Sequence, residues 1–199
     1  LHLCSHNLES INTDKIDSGK ATHTLLAEVC YAAKFEAESL IPYHDQHQLT
    51  YPGYHSQLCT ELARSFADIG DIVRGRDLYR GDNREKTKLE EKLKKYFKKI
   101  YHGLTDSGAK KHYQDKNGGN FFQLREDWWT ANRETVWKAI TCSEELRGDA
   151  YFRATCNSGD NRGGAQANHY CRCDDGKKTG KSETDQVPTY FDYVPQFLR

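Results

Sequence analysis

No run in this sequence approaches the roughly 20 apolar residues that would cross a bilayer, and the opening LHLCSHNLES lacks the basic-then-apolar layout of a signal peptide. If the protein belongs at a membrane, its anchor is expected outside this sequence. Net charge is also missing. Lys plus Arg is 29 and Asp plus Glu is 29, so the whole chain has no general attraction for nucleic acid or anionic lipid, and no nucleic-acid partner is expected. The sequence contains no Gly-x-Ser-x-Gly elbow, no His-Glu-x-x-His and no phosphate-cradling glycine loop, so nothing orders a nucleophile against a base. No internal repeat occurs. A non-enzyme without a cofactor is the expectation. There is no Asn-x-Ser/Thr sequon either, which fits a source that makes little use of N-glycosylation.

Cysteine, by contrast, is abundant. Seven cysteines in 199 residues are too many for an ordinary cytosolic protein without metal, and they argue for an oxidising, extracellular setting. Cys156, His169, Cys171 and Cys173 form a His-and-Cys cluster, but Cys-x-Cys is tighter than the ligand spacing of structural zinc sites, so disulfides are the better reading and no metal is expected. His44 and His47 lie in a stretch bracketed by Pro42 and Pro52 and make a weak metal pair. The hydrophobic fraction of 36% is too high for a disordered chain and suffices for a core.

Apolar spacing predicts a mostly helical fold. THTLLAEVCYAAKFEAESLI places Leu26, Val29, Cys30, Ala33, Ala37, Leu40 and Ile41 on one face, with Thr22 or Thr24 as caps. HSQLCTELARSFADIGDIVRG does the same with Cys59, Leu62, Phe66, Ile69 and Val73, weakened by Gly70 and Gly75. Each of these two helices carries a cysteine on its apolar face, so Cys30 and Cys59 are the expected disulfide pair if the helices pack together. The partners of Cys4, Cys142, Cys156, Cys171 and Cys173 stay open. REKTKLEEKLKKYFKKIYHGL is a third amphipathic helix, and LREDWWTANRETVWKAIT, with Trp128, Trp129 and Trp137, is the expected centre of the core. The stretches at 41–55, 105–119 and 156–189 read as loops, the last pinned by disulfides.

Two charged stretches invite a functional reading. Asp68, Asp71, Arg74, Arg76 and Asp77 do not match a calcium loop, while ion pairs one helical turn apart need no ligand, so a structural role is expected. The segment from Arg84 to Lys116 holds eleven Lys/Arg against five Asp/Glu. Lys94, Lys95, Lys98 and Lys99 fall on the polar side of its helix and Lys110 and Lys111 follow. Either they form a cationic patch, able to bind a sulfated polysaccharide through charge and counterion release, or they are a solvated face paired at i, i+4 with Glu90 and Glu91.

ATHTLLAEVCYAAKFEAESL, SQLCTELARSFADIGDIVRGRDLY, NFFQLREDWWTANRETVWKAITC, CRC and VPTYFDYVPQFLR, in this order, closely resemble the Duffy-binding-like alpha domain of the Plasmodium falciparum erythrocyte membrane protein family. The resemblance implies a helical bundle with long disulfide-stapled loops, split into a partial subdomain 1 at residues 1–55 and a subdomain 2 at 56–199, C-terminally truncated and without the third subdomain. It implies a variant surface antigen on the extracellular face of the infected erythrocyte. Such a domain takes part in rosetting through host erythrocyte receptors, heparan sulfate-like glycans, blood-group sugars or complement receptor one, and meets host antibodies. It further implies that DIGDIVRGRDLY is shared framework. Binding then belongs to the variable-looking stretches, namely Arg84 to Lys116 and the loop from Asn157 to Gln186 with Lys177, Lys178 and Lys181. The alternative is a framework and immune decoy whose neighbours bind the receptor.

Overall fold

The computed structural model describes residues 17–50, 58–77, 83–115, 118–156, 164–173 and 187–199. Among them are five α-helices: α1 (Ala21–Thr50), α2 (Leu58–Arg74), α3 (Asn83–Gly103), α4 (Ser107–His112) and α5 (Phe122–Ile140). Short 3-10 turns follow at Glu144–Leu146, Phe191–Tyr193 and Gln196–Leu198. The described residues contain no strand, only isolated bridges between Cys156 and Ala165 and between His169 and Arg172. The mostly helical expectation holds.

α5 is the centre. It packs on α1, α2 and α3, while the Phe191–Tyr193 turn closes over α2. Phe66 of α2 meets Trp129 at 5.1 Å and Trp137 edge-on at 5.2 Å between ring centroids, and Phe97 of α3 meets Trp128 edge-on at 6.1 Å. α1 supplies the smaller residues Leu25, Val29, Ala33, Ala37 and Ile41. Small side chains on the long helix let the bulky rings opposite it approach without voids.

Gly70, which read as a weak point in α2, is a packing requirement. A Cβ there would lie 2.8 Å from Trp129 Cζ2. Gly75 has φ +73° and ends the helix: its N–H donates to the Ile72 carbonyl and the Arg76 N–H to the Asp71 carbonyl, the paired bonds of a Schellman cap.

The helix boundaries differ from the expected ones in three places. α1 does not stop before Pro42 but runs through it to Thr50. Proline removes one N–H bond there, which the packing of Ile41 outweighs. Thr22 and Thr24 lie inside α1, and the turn before it is made by Asp17, whose carboxylate accepts the Gly19 N–H at 3.0 Å. The 105–119 stretch contains α4, capped by Asp106 accepting the Ala109 N–H at 2.6 Å.

The expected Cys30–Cys59 bridge is wrong. Cys59 pairs with Cys171, and Cys156 with Cys173. α1 and α2 do pack, but Cys30 is only half-buried at the edge of the α1 stripe, one residue past the fully buried Val29, and is a free thiol that burial pushes up in pKa. Cys171 is brought to Cys59 by Trp137, whose indole N–H donates to the Cys171 carbonyl at 3.2 Å. Cys142 is free and exposed; Cys4 lies outside the described residues.

Candidate functional site

Of the aspartates and arginines around Asp71, Asp71 and Arg74 are turned inward, Asp68 and Asp77 are half-buried and Arg76 is exposed. Arg74 is buried between the Trp129 and Tyr193 rings. It donates to the Gly70 carbonyl at 3.0 Å, to Asp71 Oδ1 at 2.9 Å and to the Asp192 carbonyl. Burial lowers its pKa, opposed by Glu126 and Asp192. Asp71 also accepts from Arg199. The Asp68 carboxyl sits above its usual range because burial outweighs the attraction of Arg199, 3.4 Å away. Arg76 pairs with Glu126 at 2.7 Å.

Asp192 anchors the chain's last segment. Its carboxylate is fully buried and accepts two bonds from Arg133, each 2.8 Å, and one from the Trp129 indole at 2.9 Å. Arg133 reaches on to the Thr189 carbonyl at 2.8 Å. The donors and acceptors of this network are turned on one another, which is the arrangement of a structural clamp.

Arg125 is the arginine that spacing alone did not single out. Its side chain is 0% exposed. It donates to the Val73 carbonyl at 2.6 Å and the Ile72 carbonyl at 3.0 Å, capping α2, and grips Glu90 of α3 with two bonds of 2.7 and 2.9 Å. The available signal was positional: Arg125 and Arg133 lie four residues before and after Trp129, on the buried side of α5.

This grip decides the character of the lysine face. Glu90 stands four residues before Lys94, where it would neutralise that lysine, but both its oxygens are held by Arg125. Leu89, Leu93, Tyr96, Phe97 and Ile100 bury the opposite side of α3. Lys95 and Lys98 are exposed, Lys94 and Lys99 half-buried, and Lys110 and Lys111 exposed on α4. α4 is held against α3 by the Tyr101 hydroxyl donating to the Lys110 carbonyl at 3.2 Å. Its end is held to α5 by the Tyr113 hydroxyl donating to Asp127 at 2.9 Å. Six of the nine lysines named from the sequence thus lie on α3 and on α4, which are joined by the Tyr101–Lys110 contact; Lys177, Lys178 and Lys181 lie outside the described residues. Among the described residues no cluster of three metal-ligating side chains occurs, and no helix is long and apolar enough to cross a membrane.

The Duffy binding domain family matches residues 1–199. No curated protein matches the chain. Among solved structures, the N-terminal NTS-DBL1-alpha and CIDR-gamma double domain of the PfEMP1 protein from the Plasmodium falciparum varO strain is 41% identical. The match covers 99% of this chain and 25% of that one, with a TM-score of 0.70. The ICAM-1-binding DBLbeta domain of a PfEMP1 is 32% identical over 99% of this chain and 39% of its own, with a TM-score of 0.67. A DBLb domain of a PfEMP1 bound to human ICAM-1 is 35% identical over 72% of this chain and 32% of its own, with a TM-score of 0.57. The chain therefore spans between 25% and 39% of these solved chains. A family match along the whole length, joined to a shared helical architecture at these identities, shows that the chain belongs to the Duffy binding domain family, with PfEMP1 domains as its structural relatives.

Proposed function

We propose that the chain is an adhesion module and not an enzyme, part of a variant antigen held on the outer face of an infected erythrocyte by an anchor outside this sequence. Its lysine face binds host erythrocyte receptors, with sulfated glycans as the chemical class best suited to it. One observation carries this reading. The acid placed to neutralise Lys94 is held by Arg125, and no described residue pairs with Lys94, Lys95, Lys98, Lys110 or Lys111 through its side chain. In the same reading rosetting, blood-group sugars and host antibodies are encounters of the displayed domain.

The test is heparin binding by the disulfide-bonded chain at physiological salt, beside the Lys94→Glu, Lys95→Glu, Lys98→Glu, Lys99→Glu variant. Charge reversal should weaken binding by more than about tenfold and flatten its salt dependence. A folded variant that binds heparin as before refutes the reading.

A second reading has its own support. Two solved relatives are ICAM-1-binding or ICAM-1-bound, a protein receptor, and the chain covers 25% of the varO chain. On that reading this segment is framework and immune decoy while neighbouring regions bind the receptor, and heparin should elute well below physiological salt.

A further inference from the structure

The tripeptide Arg-Gly-Asp occurs twice in the sequence, at Arg80-Gly81-Asp82, which lies outside the described residues, and at Arg147-Gly148-Asp149, beyond the end of α5. The second copy sits on a type II β-turn from Leu146 to Asp149. Arg147 has φ −65° and ψ 112°, Gly148 has φ +93°, and the Asp149 N–H closes the turn onto the Leu146 carbonyl at 3.1 Å. Both feet of the turn are fixed. Leu146 and Tyr151 are buried, and the Tyr151 N–H donates to the Ala167 carbonyl at 2.9 Å. The Asp149 carbonyl accepts from the N–H of Cys171, which its bridge to Cys59 ties to α2. The tip stands clear: Arg147 and Gly148 are exposed, and a Cβ at Gly148 would meet nothing within 4 Å.

A type II turn favours glycine at its third position and makes no demand for arginine before it or aspartate after it. Neither side chain is used inside the fold. The two acids just before the turn are engaged elsewhere, Glu144 accepting from the Tyr170 hydroxyl at 2.7 Å and Glu145 from the Ser143 hydroxyl. No described residue hydrogen-bonds or ion-pairs with the Arg147 guanidinium. The Asp149 carboxyl is half-buried, without a hydrogen-bond donor among the described residues; burial raises its pKa, with His44 opposing and Asp45 adding to the shift. The turn thus holds a cation and an anion two residues apart on a fixed backbone, with no side chain between them. We infer that Arg147-Gly148-Asp149 is a recognition site, separate from the lysine face, for an Arg-Gly-Asp-binding receptor of the integrin class. Such a receptor offers a bound divalent cation to the carboxylate and an acidic pocket to the guanidinium. Because the turn is already held, little ordering is left for binding to impose. The inference rests on the adhesion reading above and not on its glycan.

The experiment is surface plasmon resonance of the disulfide-bonded chain over a purified Arg-Gly-Asp-binding integrin ectodomain in magnesium and manganese. It is repeated with EDTA, with a cyclic Arg-Gly-Asp peptide as competitor, and on the variants Asp149→Glu and Asp82→Glu, beside a heparin column run on the same preparations. The chain should bind, and EDTA and the peptide should each abolish binding, since the carboxylate reaches the receptor through its metal. Asp149→Glu keeps the charge but moves it outward by one methylene. It should cost more than about tenfold, as expected of a residue at the energetic centre of an interface, at an unchanged melting temperature. Asp82→Glu should bind as the unaltered chain does. Binding that survives EDTA, that Asp149→Glu leaves intact, or that only Asp82→Glu removes overturns the inference. A chain that heparin retains at physiological salt but that ignores the integrin overturns it too and leaves the adhesion reading standing. A chain that binds neither overturns both.

Discussion

Replacing Asp192 by alanine tests whether the buried charge network holds the C-terminal segment to the helices. Asp192 has no exposed side-chain surface and accepts three bonds, two from Arg133 and one from the Trp129 indole. Truncation leaves the Arg133 guanidinium, on a side chain only 13% exposed, and a buried indole N–H without this acceptor. Breaking a buried ion pair from one side costs about 3–5 kcal/mol, because the surviving charge stays desolvated. At roughly 2–4 °C per kcal/mol for a chain of this size, the melting temperature should fall about 10 °C. Urea unfolding followed by tryptophan fluorescence is the assay, since Trp129 is itself a partner, and the midpoint should move without a change in slope. Asp192→Asn keeps an acceptor but removes the charge and should cost less. Arg133→Ala and the double variant complete a cycle whose coupling should exceed about 1 kcal/mol. A loss below about 1 kcal/mol for Asp192→Ala, or coupling near zero, would refute the clamp.

Three further outcomes follow from other parts of the core. The Tyr96 hydroxyl is buried with no hydrogen-bond partner among the described residues, and burial, with Glu28 nearby, pushes it up to about 12. Unfolded tyrosine ionises near about 10, so the unfolded chain loses that proton first. The stability tied to this group is full below that value and is lost as pH rises toward 12. Tyr96→Phe should flatten the alkaline loss in urea titrations at neutral and alkaline pH, and cost under about 1 kcal/mol at neutral pH. The Cys59–Cys171 bridge closes a separation of 112 residues and Cys156–Cys173 one of 17, so serine replacement of the first pair should cost about 1.5 kcal/mol more on the chain-entropy account; equal losses would contradict it. Gly70→Val places a branched side chain against Trp129 and should destabilise by about 1–3 kcal/mol despite removing a helix glycine. A Gly70→Val variant with an unchanged unfolding midpoint would show that Trp129 can shift.

The sequence made the helices and their buried faces readable where one periodicity ran unbroken, as from Leu89 to Ile100, or where ring size singled out a core, as with the three tryptophans. It misled where the partner was distant. Cys30 and Cys59 share helical faces and a shared interface, yet a disulfide needs Cβ atoms in register. Cys59's partner came from a loop whose position is set by Trp137 and has no periodic signature. Pro42 marked a boundary by local rule, and tertiary packing overrode it. The lysine face shows the same limit most sharply. At the level of one helix, Glu90 and Lys94 are an i, i+4 pair, and the surplus charge is partly cancelled. In the fold, Arg125, 35 residues further along, is buried under α3 and takes both oxygens of Glu90. The same contact that satisfies a buried guanidinium thereby leaves a surface lysine without its counter-charge. The electrostatics of the outer face are set from inside the core. A substitution at Arg125, far from any glycan, should therefore alter heparin affinity through Glu90, and in a folded Arg125→Met variant the released carboxylate should weaken it.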